Sequence, residues 1–286
     1  MPGVSEAYFL RIYVPVLGDG NHRRLRFELS GSGRCLIGRL NGKEDALRGA
    51  ILGEKMFSVI IPTFNEERNI EACFRSLRRQ RYSRFEVIVV DSGSHDRTRE
   101  IARRYGYRVL EVERRRPHDV GSAKNEGARH AVGDALLFLD ADTVAEPNCL
   151  SVLEEAYEAP GVIGVSCRVL PLGGNGTEMW MYQLNNILAR FANRVGVHEF
   201  SYFSCHSYLK APFEKVGGFN EDLHACEDLD LSLRIRQMGR FIFTSETTLW
   251  TSPRRLRNWS YPGYISRYAR YLIQYYFDGK ISDYYI

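Results

Sequence analysis

The pattern of apolar and polar positions changes character at Phe57. From there, short β-branched runs alternate with polar stretches of helical length. Phe57-Ser58-Val59-Ile60-Ile61 predicts a buried strand, followed by Pro62 and a helix over Glu66–Gln80. Glu86–Val90 repeats the pattern, ending on Asp91 before a Ser/Gly turn and a helix over Asp96–Tyr105. Tyr107–Val112 predicts a third strand, Gly121–His130 a helix, and Ala135–Leu139 a fourth strand ending on Asp140. Such alternation means βαβ units and a mainly parallel sheet. Continuous apolar runs, rather than alternating ones, predict strands covered on both faces.

Past Val162–Val169 the alternation breaks. Trp180, Leu184, Ile187, Leu188 and Phe191 share one helical face, Cys226–Met238 reads as a further helix, and Phe241–Phe243 as a short strand. Before Phe57, residues 1–55 are rich in Gly and Arg, with strand-like runs at Tyr8–Val14 and Arg24–Leu29. They read as a small β extension of unassigned role, or in part as sequence ahead of the true start. At the other end Tyr264, Tyr268, Tyr271 and Tyr275 recur at helical spacing with Ile265, Leu272 and Tyr276, so residues 256–286 form an amphipathic Tyr/Arg-rich tail behind a domain over 56–255.

Composition narrows the class. Of 286 residues 44% are hydrophobic and 26% charged, the balance of a folded globular protein. The 39 Lys and Arg against 35 Asp and Glu leave a net charge of +4, too little to argue for nucleic acid. From Pro253 onward, however, six basic residues meet only two acidic ones. The six cysteines are scattered without a CxxC pair, which reads as reduced thiols in a cytoplasmic protein. No run approaches the ~20 apolar residues of a membrane span and no signal peptide is evident, so any membrane role is expected to be peripheral, at the cytoplasmic face.

Three strand ends carry polar signatures: Pro62-Thr63-Phe64-Asn65-Glu66, Asp91-Ser92-Gly93-Ser94 and Asp140-Ala141-Asp142. Ligands of open α/β sheets collect at such carboxyl ends. Two close carboxylates stay ionised most easily beside a cation, and Mg²⁺ or Mn²⁺ is typically shared between one or two carboxylates and substrate phosphates. The competing account of Asp142-Thr143 is an N-cap for a helix near Pro147. Asp91 can accept hydrogen bonds from a base or ribose, while Ser94 or Asp96 caps the following helix. Glu227 and Asp228 open the Cys226–Met238 helix, where acidic residues suit the helix dipole but where a carboxylate can also serve as general base.

In these motifs the chain resembles the family 2 glycosyltransferases of GT-A fold. The resemblance runs from about Phe57 to Arg255. It rests on VIIPTFNEE at Val59–Glu67, VVDSGSHDRT at Val89–Thr98, AKNEG at Ala123–Gly127, LFLDADT at Leu137–Thr143, and GGFNED with CEDLDLSLR within Gly217–Arg234. It implies an α/β, GT-A type nucleotide-binding fold and inverting, metal-dependent transfer from a nucleotide-diphospho-sugar to an acceptor hydroxyl or phosphate. By that resemblance Pro62, Thr63, Asn65, Glu66 and Asp91 would hold the nucleoside, Asp140 with Ala141 the ribose or diphosphate side, Asp142 (with Asp140) the Mn²⁺ or Mg²⁺, and Asp228, with Glu227 beside it, would be the base. Lys124 stands where Arg is common, keeping a cation for the diphosphate without the bidentate fork. The Gln-x-x-Arg-Trp motif of processive members is altered to Gln237-Met238-Gly239-Arg240-Phe241, which favours one sugar per encounter. No later metal-ligating His is evident near Trp250–Arg255, and Arg254 or Arg255 would reach the diphosphate instead.

The acceptor is open, a glycan or a lipid-linked molecule. The tail either lies on an anionic membrane surface or packs on the domain or across a homodimer. A sugar-nucleotide-forming nucleotidyltransferase would want a glycine-rich loop after the first strand, and Pro62–Glu67 is acidic without glycine. An inactive sugar-nucleotide-binding module would tolerate loss of Asp142 or Asp228; both are present. Dinucleotide chemistry would want GxGxxG after a strand.

Overall fold

The computed structural model describes residues 11–15, 24–28, 55–113, 119–194 and 205–278. The chain divides into two compact units, Met1–Glu54 and Lys55–Ile286. In the first, β1 (Arg11–Pro15) pairs antiparallel with β2 (Arg24–Glu28). The rest of residues 1–54, and the tail beyond Asp278, lie outside the described residues.

The second unit runs β3 (Phe57–Thr63), α1 (Ile70–Arg78), β4 (Phe85–Asp91), α2 (Thr98–Arg104), β5 (Arg108–Glu111), α3 (Val120–His130), β6 (Ala135–Leu139) and β7 (Thr143–Ala145). It continues through α4 (Cys149–Tyr157), β8 (Val162–Pro171), α5 (Gly176–Arg194), β9 (Cys205–Leu209), α6 (Lys210–Lys215), α7 (Glu227–Ile235), a 3₁₀ turn at Arg236–Met238, β10 (Arg240–Thr251), α8 (Arg254–Trp259) and α9 (Tyr261–Asp278). One eight-stranded sheet forms in the order β5-β4-β3-β6-β9-β8-β10-β7. The four strands β5, β4, β3 and β6 are mutually parallel. β9 is inserted antiparallel between β6 and β8, which brings β8 and β10 back into the common direction.

Continuous apolar runs do make doubly covered strands. Phe57, Val59 and Ile61 pack with Ile70, Phe74 and Leu77 on one face. Ile60, Ile88 and Val90 pack with Ala123, Ala128 and Phe213 on the other. Gly127 allows α3 to sit this close, because a Cβ there would come within 2.4 Å of the Ile60 side chain.

The first helix begins at Ile70 rather than Glu66, because Asn65 takes a left-handed conformation (φ 54°) and the next residues form a turn. β10 is far longer than Phe241–Phe243: it pairs with β8 on both sides of an irregularity between Thr244 and Thr248. Those polar residues hid its second half from a hydrophobicity reading.

Candidate active site

The three polar strand ends meet at one edge of the sheet. Thr63 and Asp91 are register partners at the ends of β3 and β4. Thr63 Oγ1 donates to Asp91 Oδ1 at 3.2 Å, and the Asp91 carboxylate also accepts the Ser94 amide at 2.9 Å. Asp91 is fully buried, with the Arg99 guanidinium 3.7 Å away. The loop after β3 is held against the loop after β4 by its amides. Asn65 donates to Ser94 Oγ at 2.9 Å, Glu66 to Thr98 Oγ1 at 2.8 Å, and Glu67 to Asp96 Oδ2 at 3.0 Å. Asp96 also accepts the Thr98 amide in the first turn of α2, leaving Asp91 at the strand end. Pro62 is half-buried beside this seam.

Asp140 and Asp142 leave β6 together. Thr143 does not start a helix; it opens β7, which pairs with β10 so that Thr143 faces Thr251. The pairing draws the α8 start to the acidic loop. Arg254 Nε lies 3.2 Å from Asp142 Oδ2, and its terminal nitrogens donate to both Glu66 oxygens. Glu66 and Arg254, foreseen as separate ligand contacts, therefore form one clamp with Asp142. Ala141 between the carboxylates is buried in the core. Burial, then the neighbouring Asp142 charge, pushes the Asp140 carboxyl up to about 7, against the pull of Lys124 and Arg255. Asp142 is likewise raised, by burial more than by Glu66, with Arg254 opposing.

The second carboxylate group comes from a different part of the chain. Lys124 on α3, 2% exposed, sets its Nζ 2.8 Å from Asp228 Oδ1 and 3.2 Å from Glu227 Oε1, over the Phe219 ring. Burial alone would depress the ammonium; the charges of Asp228, Glu227 and Asp140 outweigh it and hold it well above the ordinary lysine range. Burial likewise raises the Asp228 carboxyl, but Lys124 and then His206 more than reverse this, leaving it below its usual value. Cys226, immediately before the pair, has a left-handed backbone (φ 61°), a costly conformation for a non-glycine residue and one that often marks a functional turn.

Some supporting residues carried no assigned role in the sequence, though Asn125 and Gly218 lie inside the AKNEG and GGFNED motifs. Asn125 locks α3 to the glycine-rich loop, donating to the Phe219 carbonyl and accepting its amide, both at 2.9 Å. Gly218 (φ 70°) passes so close to that amide that a Cβ would stand 2.5 Å from Asn125 Oδ1. His206 on β9, 2% exposed and stacked on Tyr208, reaches Asp228 electrostatically. A lone histidine with no spaced partner could not have been singled out. The tail reaches the site from behind: Tyr275 donates to Asp230 Oδ1 on α7 at 3.0 Å, and Tyr271 is fully buried against Ala225. Tyr264 is also buried in the main core, while Ile265, Ile273, Tyr276 and Phe277 remain exposed.

Among the described residues no three His, Cys, Asp or Glu side chains cluster as a complete metal cage. The donor set instead fits a hard ion held by one or two carboxylates and completed by phosphate oxygens. The two carboxyls of Asp140 and Asp142, raised by burial and in Asp140's case by its neighbour, are the pair such an ion would relieve.

Comparison with known proteins places this arrangement. The sequence profile described as Glycosyl transferase family 2 matches residues 58–217, more than half of the chain. Validoxylamine A glucosyltransferase of Streptomyces hygroscopicus subsp. limoneus is 35% identical over 240 residues, covering 70% of this chain and 52% of the relative. Dolichol-phosphate mannosyltransferase of Pyrococcus furiosus is 32% identical over 142 residues, covering 49% of this chain and 40% of the relative. Among solved structures, a mannosyltransferase of Pyrobaculum calidifontis in complex with GDP-Man and Mn2+ shares the fold with a TM-score of 0.55 at 24% identity, over 70% of this chain and 57% of that one. The chain thus spans between two fifths and three fifths of the length of these relatives.

Proposed function

The chain belongs to glycosyl transferase family 2, and on that premise we propose that it is an inverting enzyme moving one sugar per encounter from a nucleotide-diphospho-sugar to an acceptor hydroxyl or phosphate. The observation that carries this reading is the convergence of Asp228 with Lys124 and Asp140 at one edge of the sheet, 104 residues of sequence separating the first two.

Inversion is a single displacement. The acceptor oxygen attacks the anomeric carbon from the face opposite the diphosphate, its proton passes to a carboxylate, and the bonding pair leaves with the diphosphate. Asp228, partly open to solvent at 21% side-chain exposure, is the carboxylate placed to take that proton. Asp91 and Thr63, tied together by their hydrogen bond, orient the nucleoside. Asp140 and Asp142 would hold a Mn²⁺ or Mg²⁺ ion, which when bound supplies positive charge to the leaving diphosphate. Lys124 stands between two tasks. While paired with Asp228 it keeps that carboxylate a weak base; an incoming diphosphate competes for the same ammonium and lets the base strengthen. Donor binding would in this way prime proton removal.

The acceptor class favoured is lipid-linked, on the outward apolar residues of the tail and on the relative named for dolichol phosphate. No helix among the described residues is long and apolar enough to cross a membrane, so such an acceptor would be met from one side.

Asp228→Asn tests the assignment. Turnover should fall by about 10²–10⁴-fold, while donor affinity, measured calorimetrically with Mn²⁺ present, holds or rises, since the Lys124 ammonium no longer faces the Asp228 charge. Activity within a few-fold of the parent would move the base to Glu227 or Asp230.

A further inference from the structure

The helix α5 is apolar on two sides. Its inner side, with Tyr182, Ala189 and Ala192, is buried. On its outer side Trp180, Leu184, Ile187, Leu188 and Phe191 are 62%, 40%, 63%, 49% and 64% exposed. Their spacing of four, three, one and three residues makes one stripe about 16 Å long. Contiguous apolar surface of this kind on a folded protein marks a contact.

The charges around the stripe identify its partner. Arg190 and Arg194 are exposed, and by helical spacing they follow one edge of the stripe. The single acidic residue of α5, Glu178, is fully buried and taken by Arg257 at 2.7 Å. An antiparallel second copy would therefore meet both arginines with no free carboxylate from this helix, whereas a phosphate-bearing surface meets them anywhere along its plane. The neighbouring α9 repeats the design. Its Tyr264 shares a core cluster with Tyr182 of α5, its Tyr261 hydroxyl accepts from Asn175 at 3.1 Å, and it turns Ile265, Ile273 and Phe277 outward beside exposed Arg270.

We propose that the outward faces of α5 and α9 form a docking surface that lays this chain flat on an anionic lipid bilayer. Amphipathic helices rich in Trp, Phe and Leu, with arginines at the rim, bind at the headgroup boundary without crossing it. The surface also borders the site. β8 and β6 run in the same direction, so α5, which follows β8, starts at the sheet edge where Asp140 leaves β6, and Trp180 lies at that end of the stripe. The proposal rests on surface chemistry and stands whether or not Asp228 is the base.

Vesicle co-sedimentation of the full chain tests it, with phosphatidylcholine vesicles and with vesicles also containing phosphatidylglycerol. The chain should pellet with the anionic vesicles, less so as salt is raised. Arg190→Gln with Arg194→Gln should weaken binding about 25-fold, roughly fivefold for each arginine near the surface. Trp180→Gln with Phe191→Gln should abolish pelleting while the circular-dichroism spectrum and the unfolding midpoint hold. Should that pair lower the midpoint, Ile187→Gln with Leu188→Gln reads the same face. A full chain that stays in the supernatant with anionic vesicles at low salt overturns the proposal, as does unchanged pelleting of a folded stripe variant. Light scattering that finds a dimer, made monomeric by the stripe variants and indifferent to vesicles, would assign the face to a second copy and also overturn it.

Discussion

Replacing Lys124 with Met keeps the volume of the side chain and removes its charge. Asp228, 21% exposed, and Glu227, 17% exposed, then lose the cation between them. Breaking a buried ion pair by deleting one partner costs about 3–5 kcal/mol. The residual exposure of both acids places this site at the lower end, about 3 kcal/mol, which for a unit of this size lowers Tm by roughly 6–12 °C. The pH dependence gives the sharper test. In the parent chain Asp228 is held below its ordinary pKa, so its contribution is present at neutral pH and is lost as pH falls through the lowered value. Lys124, held above its ordinary value, contributes fully at neutral pH and loses its contribution only in strong alkali. In Lys124→Met the unpaired carboxylates gain stability on protonation instead. The stability gap between parent and variant, from urea unfolding, should be widest near pH 7 and close toward pH 4. Adding Asp228→Asn to Lys124→Met should recover part of the loss by removing one unpaired charge. A gap under about 1 kcal/mol at pH 7, or one constant down to pH 4, would refute the pairing as the source of the effect.

Divalent ion binding should be linked to protons: with the Asp140 carboxyl at about 7, Mn²⁺ affinity measured calorimetrically should rise from pH 6 to pH 8 and level off above it, and a flat profile would place the ion elsewhere. Gly218→Ala forces a side chain onto Asn125 Oδ1 at a left-handed backbone position; a loss of about 2 kcal/mol in urea unfolding is expected, with Asn125→Ala making the added Cβ less costly. Tyr275→Phe removes the bond from the tail to Asp230 and should cost about 1 kcal/mol in stability. Its effect on turnover should exceed its effect on donor affinity, because Asp230 lies on the helix that presents Asp228.

The parallel half of the sheet and its polar strand ends were legible because their causes are local. A strand buried on both faces must be apolar throughout, as at Val59–Ile61 and Val87–Val90, and the first polar residue after it falls at the sheet edge where ligands bind. Thr63, Asp91, Asp140 and Asp142 could therefore be read directly. What tied them together could not. Lys124 meets Asp228, and Arg254 meets Glu66, across separations of 104 and 188 residues that no periodicity records. The insertion of β9 between β6 and β8 brought His206 to the site from a strand of only five residues. The apolar stripes of α5 and α9 show most plainly where sequence stops. Periodicity fixes where a stripe lies around its own helix but not which way that helix is turned. In α5, which is apolar on both sides, packing buried Tyr182 and Ala189 and left Trp180 and Phe191 facing out. In α9 it turned Tyr264, Tyr271 and Tyr275 inward, where the last two brace the helix that carries Asp228.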